Sequence, residues 1–336
     1  MTLNIGLIGT GRIGRIHAET IALHIPEAHL STVTDVRLDS AHSCAARYRI
    51  PRVASSTQEL LQDTGIQAVA ICSSTDSHAS LIIDAARAGK HIFCEKPIAL
   101  DLAGIDAALE AVAKAGVKLM VGFNRRYHPN FRRIKELVHS GEVGQPHLVR
   151  ITSRDSAPPP LEYVRVSGGI FLDMTIHDFD MARYVVGSEV TEVSATGNVL
   201  INPAFADAGD VDTAVVVMQH ENGAITVIDN SREAVYGYDQ RLEVFGSKGV
   251  AKCDNTFPNS VVVSSAEQSS SAKPFFAFLD IYRQTYMDEM RDFIKAVETD
   301  SPTPISGLDG RIPLVMGIAA TTSLREKRRV KLSEVT

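Results

Sequence analysis

The chain is short of cysteine, of net positive charge and of long apolar runs, and each shortage removes a class of function. Cys44, Cys72, Cys94 and Cys253 are too few and too widely spaced for a disulfide framework, and no two form a CxxC pair. That usage fits a reducing compartment, with Cys72 and Cys94, which lie in strand-like apolar runs, expected to be buried and inert. With 34 basic against 40 acidic residues the formal net charge is -6, whereas a phosphate-binding surface needs clustered positive charge, so no nucleic-acid partner is expected. The short basic run Arg325-Glu326-Lys327-Arg328-Arg329 reads as a solvated helix end. No uninterrupted apolar run is long enough to span a bilayer, and Leu3 to Ile8 starts too early for a secretory leader, so a cytoplasmic protein without a membrane partner is expected. Internal repeats and biased tracts are also missing.

What is present is a chain of 336 residues, 44% hydrophobic, which exceeds one ordinary core and calls for two domains. The first third alternates short apolar runs with helical patterns, as a parallel sheet with crossover helices does. Strands are placed at Asn4 to Ile8, Leu30 to Thr34, Arg52 to Ala54, Ala68 to Cys72, His91 to Cys94 and Lys118 to Gly122. The clearest helices are Ile13 to Leu23, Ser77 to Ala88 and Leu102 to Ala115. Beyond Phe123 the texture changes to longer β-branched segments at His147 to Thr152, Thr213 to His220, Ala224 to Asn230, Gln240 to Phe245 and Ser260 to Ser264. Asn222-Gly223 supplies a hairpin signal between two of them. Helices are expected over Phe171 to Val186 and Tyr282 to Glu298, and loops at Pro158-Pro159-Pro160 and Ser264 to Ser271. The reading is an α/β protein: residues 1–123 form a doubly wound Rossmann domain, and residues 124–336 an α+β domain with a large, mostly antiparallel, open-faced sheet. An apolar open face seeks cover from another subunit, which predicts a homo-oligomer.

Gly9-Thr10-Gly11-Arg12-Ile13-Gly14 joins the first strand to the first helix. In that context the hexad gives a tight turn at Gly9, lets a pyrophosphate approach the backbone at Gly11 and allows helix-strand packing at Gly14. Asp35, at the end of the second apolar run, is placed to accept both ribose hydroxyls of NAD. A second concentration of polar groups is Glu95-Lys96-Pro97, at the carboxyl end of the fifth strand, where a doubly wound sheet meets its ligand. The third is Gly168 to Asp180. On one continuous helix Asp173, His177 and Asp180 would share a face at i, i+4 and i+7, with Asp178 on another side. A carboxylate-flanked imidazole can serve as general base; a metal site or an acidic solvated face are the alternatives, though the spacing matches no close metal-ligand signature. Together these groups suit alcohol oxidation. His177 would take the hydroxyl proton, Lys96 would stabilise the alkoxide, and Asp173 would orient or polarise the pair, while nicotinamide takes the hydride.

The hexad, Glu95-Lys96-Pro97, Phe123-Asn124-Arg125-Arg126 and the Gly168 to Asp180 segment follow one another as in the Gfo/Idh/MocA oxidoreductase family, which essentially the whole chain resembles. Ser153-Arg154-Asp155, the proline loop, Ile176 to Arg183 and Tyr236 to Arg241 resemble the inositol 2-dehydrogenases within it. The resemblance implies a catalytic set of Lys96, Asp173 and His177, with no metal. It implies cofactor contacts from Gly9, Gly11, Arg12, Ile13, Gly14, Asp35, Thr75, His78, Glu95 and Asn124, and polyol contacts from Arg126, Asp155, Asp180 and Tyr236. The implied reaction is NAD-dependent oxidation of myo-inositol to 2-keto-myo-inositol, in a tetramer built through the open sheet. Other inositol isomers, aldohexoses and a non-catalytic NAD-sensing regulator are the alternatives. Ser156 stands where some inositol dehydrogenases carry another polar residue. Arg37 could turn towards a 2'-phosphate and permit some NADP use, against the repulsion expected from Asp35.

Overall fold

The computed structural model describes residues 2–335. Two compact units emerge. The first holds the chain up to Tyr127 together with Gln284–Leu314, and the second holds His128–Arg283 together with the chain from Val315.

The first unit runs β1 (Leu3–Ile8), α1 (Arg12–Glu19), β2 (Ala28–Thr34), α2 (Leu38–Tyr48), β3 (Arg52–Val53), α3 (Thr57–Gln62), β4 (Ala68–Ile71), α4 (His78–Arg87), β5 (His91–Glu95), α5 (Leu102–Ala115) and β6 (Leu119–Gly122). Its six strands pair in parallel in the order β3-β2-β1-β4-β5-β6. Strands covered on both faces read as continuous apolar runs, and Ile5, Leu7, Val69, Ile71, Ile92, Phe93, Met120 and Val121 are fully buried. Each such side chain contributes about 1.5–3 kcal/mol by leaving water. Asp101 starts α5 by accepting the Gly104 amide at 2.7 Å, an N-cap.

The second unit contains α6 (Pro129–His139), β7 (Pro146–Arg154), α7 (Leu161–Val164), α8 (Gly169–Asp173), α9 (Ile176–Val186), β8 (Val190–Asn198), α10 (Ala204–Asp207), β9 (Thr213–His220), β10 (Ile225–Ser231), β11 (Asp239–Gly246), β12 (Gly249–Cys253), β13 (Val262–Ser264), β14 (Ser269–Ser271) and β15 (Val330–Lys331). The long helices α11 (Phe278–Glu298) and α12 (Gly307–Glu326) are each divided between the units. Seven strands form a mixed sheet in the order β12-β11-β7-β10-β9-β8-β15, antiparallel except where β7 meets β10. The register puts Ser153, Asn230 and Gln240 side by side on the buried face. Val215, Val217, Ile225, Phe245 and Val250 are exposed, and successive pairings place them on the opposite face.

Several expectations are corrected. A single cut after residue 123 misses Gln284–Leu314, which belongs to the first unit because Phe293 packs on Phe93, with ring centroids 5.9 Å apart, and Gly310 lies against Ile98 and Val121. The Ser264 to Ser271 loop contains half of a hairpin, β13 with β14. The first helix turns into a π segment at Thr20–His24. Most consequential for function, the expected helix from Phe171 to Val186 is two helices broken at Met174-Thr175. The Thr175 amide donates to Ile170 O at 2.9 Å, one residue further back than an α-helix allows. The Thr175 hydroxyl, 3.2 Å from that same carbonyl, also lies 2.6 Å from Asn230 Oδ1, drawing the chain towards β10.

Candidate active site

In the first unit, β1 delivers the chain to Gly9, whose φ of +94° is a left-handed conformation. A Cβ there would strike the backbone of Cys72 and Ser73, and one on Gly14 would strike the Gly9 carbonyl, so both positions need glycine for close packing. Gly11 faces open space, and Arg12 and Ile13 beside it are accessible. A bound pyrophosphate needs this approachable turn at a helix N-terminus. Asp35 follows β2. Its Oδ2 accepts the Thr10 amide at 2.6 Å and the Thr10 hydroxyl at 3.0 Å, and its Oδ1 accepts the Arg37 amide at 2.9 Å. Burial works to raise this carboxyl, but the Thr10 and Arg37 bonds outweigh it and hold the pKa below the usual range. Beside it lies a groove of about 550 Å³ lined by Arg15, Val36, Arg37, Leu38, Asp39 and Ser40.

Lys96 is half-buried at the end of β5, and its peptide bond to Pro97 is cis. The loop is tied down by His78, whose Nδ1 lies 2.8 Å from Pro97 O and whose Nε2 lies 3.1 Å from Ser73 O. Burial lowers the His78 pKa against the pull of these carbonyls. Both ring nitrogens are thus engaged by main chain. Thr75 opens a short 3₁₀ turn, and Asn124 donates from Nδ2 to Thr285 Oγ1 at 3.2 Å. Arg126 is paired with Asp309 at 2.9 Å. Glu95 is buried, with Oε1 2.6 Å from His17 Nε2. Glu289 completes a buried trio, and burial followed by the Glu95 charge pushes its carboxyl well up. His17 Nε2 and Glu95 Oε1 are too close to ligate one ion, since tetrahedral ligands at about 2.0–2.1 Å stand roughly 3.3 Å apart. Within the trio only His17 and Glu95 are bonded to each other, and neither oxygen of the Glu289 carboxyl finds a hydrogen-bond partner among the described residues. Neither His17 nor Glu289 was legible as a member of the trio, because nothing in the sequence shows that residues so far apart meet.

In the second unit, the helix break sets Asp173 at the end of α8 and starts α9 just before His177. The single i, i+4, i+7 face is therefore not formed, and Asp180 is buried. The start of α9 is fixed from below by Asp178, which accepts from Ser153 Oγ at 2.6 Å and Asn230 Nδ2 at 2.9 Å. His177 itself is half-buried. Asp173 accepts from Tyr163 OH at 2.7 Å and from Arg232 Nη1 at 2.8 Å, with Asp155 Oδ2 3.8 Å from the same Nη1. Tyr236 is held between Asp239 and Arg154. Arg232, fully buried at the end of β10, is the chief residue that sequence reasoning missed. Its only signal is a cation directly after a strand.

The match with known proteins follows the same division. Residues 3–123 match the oxidoreductase family with an NAD-binding Rossmann fold, and residues 131–252 match the GFO/IDH/MocA C-terminal domain. The chain belongs to the Gfo/Idh/MocA oxidoreductase family. It is 51% identical to a myo-inositol 2-dehydrogenase of Thermotoga maritima over 99% of each chain. An inositol 2-dehydrogenase of Rhizobium meliloti is 43% identical over 99% of this chain and all of its own. A crystal structure of a Lactobacillus casei scyllo-inositol dehydrogenase with bound NAD(H) and scyllo-inositol superimposes with a TM-score of 0.92 at 30% identity, covering 99% of this chain and 100% of that one. The family's NAD-binding half coincides with the unit that carries the glycine turn and Asp35. Its C-terminal half contains Asp155, Asp173, His177, Asp180, Arg232 and Tyr236. Among the described residues, no helix is long and apolar enough to cross a membrane.

Proposed function

We propose that this family member oxidises a cyclic polyol with NAD, converting myo-inositol to 2-keto-myo-inositol. The observation that carries the reading is the full-length likeness to a myo-inositol 2-dehydrogenase. The donor set fits NAD: an open glycine turn for the pyrophosphate and an ionised Asp35 that suits a ribose diol and repels a 2'-phosphate. Arg15 and Arg37 line the adjoining groove and leave room for limited NADP use. When bound, the nicotinamide supplies the hydride acceptor.

In this reading His177 accepts the proton of the reacting hydroxyl, the Lys96 ammonium stabilises the developing alkoxide, and Asp173 orients and polarises this pair. One carbinol becomes one ketone as a hydride and a proton leave. Proton handling of this kind contributes about a hundred- to ten-thousand-fold in rate. Asp155, Arg126, Asp180 and Tyr236 are assigned to the polyol. Asp180 and Arg126 act there through the groups that bury or pair them, and His78 positions the Lys96 loop. Residues 1–123 serve as the NAD-binding domain and residues 124–336 as the substrate-binding and oligomerisation domain, apart from the helical segment Gln284–Leu314 that packs with the first unit. The exposed apolar sheet face pairs with further copies in a tetramer, and the four free cysteines suit the cytoplasm.

The test mixes purified protein with NAD and a panel of inositols and aldohexoses while nicotinamide absorbance is followed, then repeats it with Lys96→Ala and His177→Ala. Reduction with myo-inositol that both substitutions suppress is the expected result. Tight NAD binding without reduction by any polyol would replace the enzyme with a nucleotide sensor.

A further inference from the structure

Among the described residues of the second unit, Arg232 has a fully enclosed guanidinium flanked by three carboxylates. Nη1 donates to Asp173 Oδ2 at 2.8 Å and lies 3.8 Å from Asp155 Oδ2, while Nη2 lies 4.0 Å from Asp210 Oδ2. Nε and Nη2 find no hydrogen-bond acceptor among the described residues, so its one direct bond goes to Asp173. The Arg232 amide is itself anchored on Asp212 O at 2.8 Å, and the Asp155 amide donates to the preceding Ser231 carbonyl at 2.9 Å. A buried cation is costly unless its charge is matched, and here a single guanidinium is matched to more than one carboxylate. Tyr163 OH holds the other oxygen of Asp173. With both oxygens bound from different directions, the plane of that carboxylate is set.

We propose that Arg232 is a positioning residue for the dehydrogenase reaction: it aims the Asp173 carboxylate, keeps it charged, and links it electrostatically to Asp155 at the polyol end of the site. The inference rests on the assignment of Asp173 and Asp155 given above. It makes one cation responsible for both chemistry and substrate affinity, since loss of Arg232 releases Asp173 and leaves Asp155, Asp173 and Asp210 repelling one another. Burial already raises the Asp210 carboxyl, with the Asp173 charge adding to it. Arg232 therefore balances a carboxylate cluster that would otherwise take up protons.

The experiment measures kcat, KM for myo-inositol, NAD affinity and the pH profile of kcat/KM in the full-length enzyme for Arg232→Gln, Arg232→Lys and Asp210→Asn. Arg232→Gln is expected to lower kcat and raise KM for the polyol, with NAD affinity unchanged. Its acid limb should move up by about one to three pH units, because removing a cation favours the protonated forms of Asp173 and His177 alike. Arg232→Lys should restore the limb by keeping the charge, yet recover kcat only in part, because an ammonium lacks the planar fork. Asp210→Asn keeps an acceptor for the Ile170 amide, removes a competing charge and should shift the limb down, so it tests the proposal even where Arg232 variants fail to fold. Unshifted profiles in the folded variants, with Asp173→Asn inactive, overturn the role of Arg232 alone. An Asp173→Asn enzyme with full turnover overturns the catalytic assignment on which it rests.

Discussion

The Asp35 carboxylate accepts the backbone amide of Thr10 at 2.6 Å, tying the end of β2 to the glycine turn that follows β1. In the proposed function the same charge that secures the turn also discriminates between ribose and its 2'-phosphate. Asp35→Asn keeps an acceptor for the amide but removes the charge. A charge-assisted hydrogen bond is worth about 1.5–3 kcal/mol, so the preference for NAD over NADP in kcat/KM should fall by about ten- to hundred-fold. An unchanged ratio would remove Asp35 from cofactor selection.

Glu289 offers a pH test. Burial and the Glu95 charge raise its folded pKa well above the unfolded value, so the folded state retains a proton that the unfolded chain releases near pH 4.5. Stability is thus unaffected below that unfolded pKa and declines as pH rises above it, by about 1.4 kcal/mol per pH unit until the folded pKa is reached. Glu289→Gln carries no such penalty. Its melting temperature relative to the parent should rise progressively as pH climbs above 5 towards the raised folded pKa, as followed by calorimetry. A difference that is flat across that range contradicts a protonated Glu289.

Thr175→Val tests the helix break. Valine matches threonine in shape but cannot bond Asn230 Oδ1, leaving a buried acceptor short of a donor, so a loss of about 1–3 kcal/mol is expected in urea unfolding. Because α9 begins there and carries His177, kcat should fall while NAD affinity, measured by fluorescence titration, stays constant. Equal stability and equal kcat would show that the break does not position His177.

The exposed sheet face makes a prediction about assembly. Phe245→Glu paired with Val217→Lys places charge on surface-facing positions whose backbone already tolerates solvent. Light scattering should report a tetramer for the parent and a smaller species for the double variant. A monomeric parent would contradict the assignment of this face.

Much of the first unit was legible because its signals are local: buried parallel strands read as apolar runs, and Gly9, Gly14 and Asp35 sit at fixed offsets around one turn. Leu102–Ala115 was read without error because Asp101 and Gly116 mark its ends. The break at Thr175 was not legible, since Asn230 lies 55 residues away and a threonine within a helical pattern carries no mark of its partner. β8 escaped because a register shift between Val190 and Glu192 spoils its alternation. α12 escaped because it contains Gly310, Pro313 and Gly317, which propensity reads as breakers. Gly310 and Gly317 are used instead for close approach to Ile98 and Leu172. Of the proposed site, Lys96, Asp173 and His177 were singled out by residue type and spacing. Arg232 was not, because a buried arginine is recognisable only from the carboxylates that surround it.

In the proposed reaction a hydride leaves a ring carbon of myo-inositol for the nicotinamide while this chain handles the proton. The direct measurement incubates the enzyme with NAD and myo-inositol deuterated at carbon 2, then examines the recovered cofactor by mass spectrometry. One deuterium on the nicotinamide, with 2-keto-myo-inositol as product and no transfer in His177→Ala, is the predicted result. Undeuterated cofactor from an enzyme that has turned over, or bound NAD with no turnover at all, would contradict it.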